Sequence, residues 1–202
     1  MSVKIESLPA AELQILVDAP RYPQFLQLVQ QGIILRRQVG CSLRSFLLDQ
    51  LRLSPQFIEE NIQTIFLDGK PVDDLDRAHV KDGCTLALSA AMPGLVGATM
   101  RRGGFYASLR AQISHGPDDP NASATAQGCV TIKFFNNVAH LLGKAFLQDT
   151  FFITSKNLED FIRWSRPTDD IKAFLGEKPF DWKAFRAGNS NDELVRVRLK
   201  IV

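Results

Sequence analysis

Two octamers, FLDGKPVD at 66–73 and FLGEKPFD at 174–181, share Phe, Leu, Lys, Pro and Asp in register, five of eight positions. In each, an apolar pair runs into a glycine-bearing turn, Asp68-Gly69 or Gly176 to Lys178, and Lys-Pro can pair back, which is the pattern of a short hairpin. Each octamer is followed by a closing apolar strand, Thr85 to Ser89 with Leu86 and Leu88, and the C-terminal run Leu194, Val195, Val197, Leu199 and Ile201. Their placement at the same step of the same element order reads as an internal duplication.

Upstream of the first octamer, Gly32 to Val39 is extended in character, and Ser42 stands as a helix N-cap ahead of Leu43, Phe46, Leu47, Leu48 and Leu51. Ile62 to Leu67 is the next strand, so the order is β-α-β-β-β. Before it, Leu13 to Val17 is a first strand, interrupted where Pro20 and Pro23 would be untenable in a sheet interior. Upstream of the second octamer, Val130, Ile132 and Phe134 alternate, and Thr150 to Thr154 is a second strand. Leu158, Phe161, Ile162 and Ser165 follow helical spacing until Pro167 stops the helix. Leu43, Phe46, Leu47, Leu86 and Leu88 are the expected first core, and Phe134, Phe152, Phe161, Val197 and Leu199 the second.

The 202 residues permit one or two domains, and composition favours two. Residues 114 to 128, SHGPDDPNASATAQG, carry no large apolar side chain and read as a linker. Nine of the 14 Phe and both Trp follow residue 128, which gives the second half its own aromatic character. The formal charge is −2 over residues 1 to 92, +1 over 93 to 128 and +3 over 129 to 202. A total of +2 supplies no strong field for nucleic acid, an anionic membrane or a polyanion. No apolar run approaches the roughly 20 residues of a membrane span, and MSVKIESLPA lacks a signal-peptide core, so a cytoplasmic protein is expected. Cys41, Cys84 and Cys129 form no CxxC pair and imply neither a disulfide framework nor a closed zinc site.

Thr64-Ile65-Phe66, Gly69-Lys70 and Asp73-Asp74, followed by Leu75, Val80, Thr85, Leu86 and Leu88, resemble the second half of a ubiquitin-like protein. VTIKFFNNVAHLLG at 130–143 is similar to the opening strand and turn of the small sulfur carriers of molybdopterin biosynthesis. The resemblance implies an α+β fold of two β-grasp (ubiquitin-like) domains in tandem, each a mixed sheet crossed by one helix. The first would occupy residues 1–92 and the second 129–202, with a Gly/Arg-rich segment and linker at 93–128. Carriers and ubiquitin end in a free Gly-Gly, whereas this sequence ends Arg198-Leu199-Lys200-Ile201-Val202, and Arg101-Arg102-Gly103-Gly104 is internal. Carrier chemistry would require cleavage behind Gly104.

The candidate binding residues lie in PGLVGATMRRGGFYASLR at 93–110. Gly94, Gly97, Gly103 and Gly104 leave backbone N–H groups open, and Arg101, Arg102 and Arg110 supply forked donors for an anion or a partner. The same stretch fits neither phosphate-binding glycine motif, and packing of one half on the other is the alternative. Leu95, Val96, Met100, Phe105, Tyr106 and Leu109 are expected to dock the segment against a domain. Asp73, Asp74 and Asp76 lack calcium-loop spacing and read as a turn. His79, His115 and His140 are scattered, Cys41 has no visible base, and Asn121 to Ser123 matches a glycosylation acceptor without a secretory signal. With no nucleophile, metal or nucleotide constellation, no cofactor is implied, and the expectation is a non-catalytic binding or adaptor protein. Its partner would be another protein or a small anion, with nucleic acid disfavoured. A carrier precursor and an anion-binding accessory subunit remain as alternatives.

Overall fold

Alternation of period two sets the first strand, β1 (Glu12–Val17), in which Leu13, Ile15 and Val17 are buried while Glu12, Gln14 and Leu16 take the other face. The computed structural model describes residues 8–118, 124–164, 171–188 and 193–202; Asn121, Ser123, Ser165 and Pro167 lie outside them. Pro20 and Pro23 do more than end β1. Each stands in a helical first turn, of the 3₁₀ segment Ala19–Arg21 and of helix α1 (Tyr22–Gln31), where a missing N–H costs nothing. α1 buries Phe25, Leu26, Leu28 and Val29 and stops at Gly32, whose φ of 118° favours glycine.

Strand β2 (Ile33–Val39) leads to α2 (Leu43–Ser45), capped by the Ser42 hydroxyl as expected and continued by a π-type turn over Phe46–Gln50. α3 (Pro55–Asn61) has Ser54 as its cap, and β3 (Thr64–Leu67), β4 (Lys70–Pro71), β5 (Thr85–Ser89) and α4 (Gly94–Met100) follow. The second half runs β6 (Ala126–Phe135), α5 (Asn136–Gln148), β7 (Phe151–Thr154), α6 (Ser155–Trp164), β8 (Ala173–Leu175), β9 (Lys178–Pro179), α7 (Trp182–Gly188) and β10 (Leu194–Ile201). β6 enters α5 without a loop because Asn136 takes φ 52°, a conformation asparagine tolerates.

The strands form one mixed sheet of ten, in the order β4-β3-β5-β6-β2-β7-β10-β1-β8-β9. Both octamers make the hairpin expected of them, with the same register: Phe66 opposite Pro71 and Leu67 opposite Lys70, Phe174 opposite Pro179 and Leu175 opposite Lys178. They sit at the two ends of the sheet, and the order reads the same from either end. β5 pairs parallel with β6 as β1 does with β10, and β6 runs antiparallel to β2 as β10 does to β7.

The expectation of one sheet per half differs from this arrangement in a specific way. β6, from the second half, fills the place between β5 and β2, and β1, from the first, lies between β10 and β8. A hairpin would have kept β1 beside β2 and β6 beside β7. Instead the 10-residue α1 and the 13-residue α5 join each pair, and a helical crossover delivers parallel strands that need not be neighbours. The ten-residue β6 also begins inside the stretch read as linker.

The two expected cores merge accordingly. Leu43, Phe46, Leu47, Leu86 and Leu88 share one cluster with Phe134, Phe161, Val197 and Leu199, on the face covered by α1, α5 and α6. Phe25 of α1 packs on Phe161 of α6 with ring centroids 4.8 Å apart, and a Cβ at Gly143 of α5 would lie 2.5 Å from Leu26. Phe152 belongs elsewhere: it lies on the opposite face with Ile34 and Cys129. No helix among the described residues is long and apolar enough to cross a membrane.

Candidate functional site

Between β5 and β6 the chain makes an arm. Pro93 precedes α4, Gly94 and Gly103 hold φ of 78° and 61°, and a 3₁₀ segment covers Phe105–Arg110. At Gly97 a Cβ would collide with the backbone of Met92, so the turn into α4 closes only on glycine.

Arg110 holds the arm together. Its guanidinium is 4% exposed as a residue and engages Asp73 in a two-pronged pair, NH2 to Oδ1 at 2.7 Å and NH1 to Oδ2 at 2.9 Å. It also donates to the Thr99 carbonyl at 2.6 Å, to Ser114 Oγ at 2.6 Å and to the Arg101 carbonyl at 3.3 Å. The Gly103 N–H donates to the same Asp73, at 3.0 Å. Arg102 donates to Glu59 on α3 at 2.9 Å, while its backbone N–H reaches the Gln63 carbonyl at 2.8 Å.

The tie continues past the arm. The His115 N–H donates to the Pro71 carbonyl and the Asp118 N–H to that of Arg77, while Asp118 accepts from the His79 N–H at 2.9 Å and from Lys81 at 2.6 Å. Burial alone would raise the Asp118 carboxyl, but Lys81, the His79 N–H and the nearby His115 together hold it below the usual carboxylate range. Residues 114–118 of the expected linker are therefore fastened to the first half.

All seven candidate residues, Gly94, Gly97, Arg101, Arg102, Gly103, Gly104 and Arg110, fall in this arm, yet they do not converge on an open anion cradle. Arg110 and Arg102 already hold carboxylates, and Arg101 is the one exposed arginine of the three. Of the six apolar side chains expected to dock, Met100 is half-buried and the other five reverse that role. Phe105 is 91% exposed, and Leu95, Val96 and Leu109 are exposed at 70 to 73%. Tyr106 and Ile113 are exposed too, and Phe105 and Tyr106 meet edge to face at 5.1 Å. Docking is done by arginine because Asp73, two carbonyls and Ser114 together satisfy its forked donors.

Other candidates are accounted for locally. Asp76 pairs with Arg44 at 2.7 Å, and the Asp74 carboxylate accepts from the Asp76 and Arg77 N–H groups. Burial pushes the Cys84 thiol up to about 12 and also raises Cys41 and Cys129, which keeps all three in the unreactive thiol form near neutrality. A feature invisible in the sequence is a cleft of about 670 Å³ between the π-type turn and α5, lined by Arg37, Leu51, Arg52, Leu53, Leu142 and Phe146 among others. It opens where Arg52 takes φ 56°, away from the seven candidate binding residues.

Compared with known protein families, with curated proteins and with solved structures, the chain matches none.

Proposed function

We propose that the chain is a non-catalytic binding protein built from two β-grasp-like units that exchange strands, and that the arm at 93–114 is its protein-docking element. The strand order of each half of the sheet supports the first part. β2-β6-β5-β3-β4 and β7-β10-β1-β8-β9 both have two central parallel strands flanked by antiparallel ones and end in the Lys-Pro hairpin, which fits the mixed sheet that the ubiquitin-like resemblance implies. The single observation that carries the second part is the inverted arm, with one arginine buried and six large apolar side chains held outward. A flexible spacer has no use for such side chains, and a rigid display of them lowers the ordering cost when a partner covers them. Gly103 and Gly104 support this reading over a processed carrier, because their N–H groups are bonded to Asp73 and the Arg101 carbonyl inside the arm.

The test is affinity capture from the native host with the wild-type chain and a Phe105→Asp/Leu109→Asp variant in parallel. Both variant positions are exposed, so the melting temperature should stay within about 2 °C. The reading expects at least one stoichiometric protein to be retained by wild type and lost by the variant. Identical retention by both chains removes the arm from the function.

A further inference from the structure

We infer that the face of the central strands β6, β2, β7, β10 and β1 turned away from α1, α5 and α6 binds single-stranded nucleic acid. This surface is separate from the arm, and the inference stands or falls without it. Side chains at alternate strand positions, opposite to the buried core set, define the face: Glu12, Gln14 and Leu16 on β1, Arg196, Arg198 and Lys200 on β10, Ile34, Arg36 and Gln38 on β2, and Thr131, Lys133 and Phe135 on β6. The apolar cluster on this side, Ile34, Cys129 and Phe152 with Leu8 and Leu194, includes no helical residue.

The charge on this face is one-sided. Arg36, Lys133, Arg196, Arg198 and Lys200 stand against Glu12, the one carboxylate at a strand position of the face. Glu12 meets Arg196 at 3.4 Å and Arg198 at 3.7 Å, and Arg198 also donates to Thr150 at 2.7 Å. The side chains of Arg36, Lys133 and Lys200 make no hydrogen bond or ion pair among the described residues, which leaves three cations for an external anion. The formal total of +2 therefore does not describe this face, where five cations stand at strand positions against Glu12, with Asp82 at its border accepting from the Cys129 N–H.

Two further features select the ligand. Arg196, Arg198 and Lys200 repeat every second residue along one strand, about 6.6 Å apart, the repeat of an extended chain; Glu12 holds the first two, so a phosphate meets Lys200 directly and Arg196 or Arg198 only in exchange for Glu12. Phe135, on β6 beside Lys133, and Phe174, on β8 beyond β10 and β1, are partly open at this face and offer rings for unpaired bases to stack on. An acidic peptide would use the charges and leave the rings idle. A duplex presents no unstacked base.

The experiment is fluorescence anisotropy of the full chain with labelled 20-nucleotide oligo-dT and oligo-U at about 50 and 200 mM salt, beside an Arg36→Glu/Lys200→Glu variant. Both substituted residues are exposed and neither side chain is bonded among the described residues, and circular dichroism and a melting curve establish that the variant is folded. We expect wild type to bind both oligonucleotides and to weaken as salt rises. The variant should bind at least tenfold more weakly with a shallower salt slope, and a Phe105→Asp/Leu109→Asp chain should bind as wild type does. No binding by wild type overturns the inference. So does equal binding by the folded variant, or equal competition by a 20-base-pair duplex or by polyglutamate, which would assign the face to duplex or acidic protein instead.

Discussion

The two Lys-Pro hairpins end in equivalent aspartates that have been put to different uses. Asp73 leaves its hairpin to hold Arg110 and the Gly103 N–H, and so fastens the arm. Asp181 leaves the other to accept from the Lys183 and Ala184 N–H groups, which caps α7. The hairpins themselves agree in register, residue for residue. A duplicated local structure thus stays fixed by its own side chains, while the first residue beyond it is free to take whatever partner the surrounding chain supplies.

The comparison breaks most sharply if the two halves fold apart. Because Phe161 packs on Phe25 across the halves, Phe161→Ala should cost about 3 to 5 kcal/mol and shift one cooperative transition for the entire chain. Differential scanning calorimetry that separated into two transitions, with only one displaced, would show the halves to be independent. Next in size, Asp73→Ala leaves a buried guanidinium without its carboxylate and should cost about 3 kcal/mol, with amide protection lost across 99–114. Asp181→Ala removes only a cap and should cost about 1 kcal/mol, confined to 182–188. Equal losses at the two positions, measured by urea denaturation and hydrogen exchange, would erase the distinction between clamp and cap.

The smallest effect concerns acid. The pKa of Asp118 is depressed in the folded chain, so its contribution is present above the unfolded carboxylate value of about 3.9 and is lost as the pH falls through the folded value. Protection of the His79 and Asp118 amides should therefore fail as the pH falls through that depressed value, before the hairpin amides of Phe66 and Phe174. An Asp118→Asn chain should lack that step. Simultaneous loss of all these amides would mean that the tie past the arm is no weaker than the sheet.

Much of the local structure was legible in the residues. The hairpins, the extended runs of β1, β2, β6 and β10, and the Ser42 cap all follow from side chains within a few positions of one another. α1 was not legible, because two prolines near its start suggest a break and only the helix register reveals them as first-turn residues. The arm was located but turned inside out. Phe105 and Leu109 read as core by hydrophobicity and Arg110 as surface by charge, and nothing in the stretch itself announces that Asp73, thirty-seven residues earlier, waits for the guanidinium.

The sequence by itself determined which segments extend, where the chain turns and which face of each strand is apolar, since these depend on period, propensity and caps. Only the tertiary structure decided which strands became neighbours. Every strand offers the same ladder of N–H and C=O groups, so pairing between β6 and β2, or between β1 and β10, is chosen by how α1 and α5 pack as crossovers and not by the strands. The same holds for charge. A count of +2 is fixed by composition, but the gathering of Arg36, Lys133, Arg196, Arg198 and Lys200 on one face required four strands from both halves to be laid side by side.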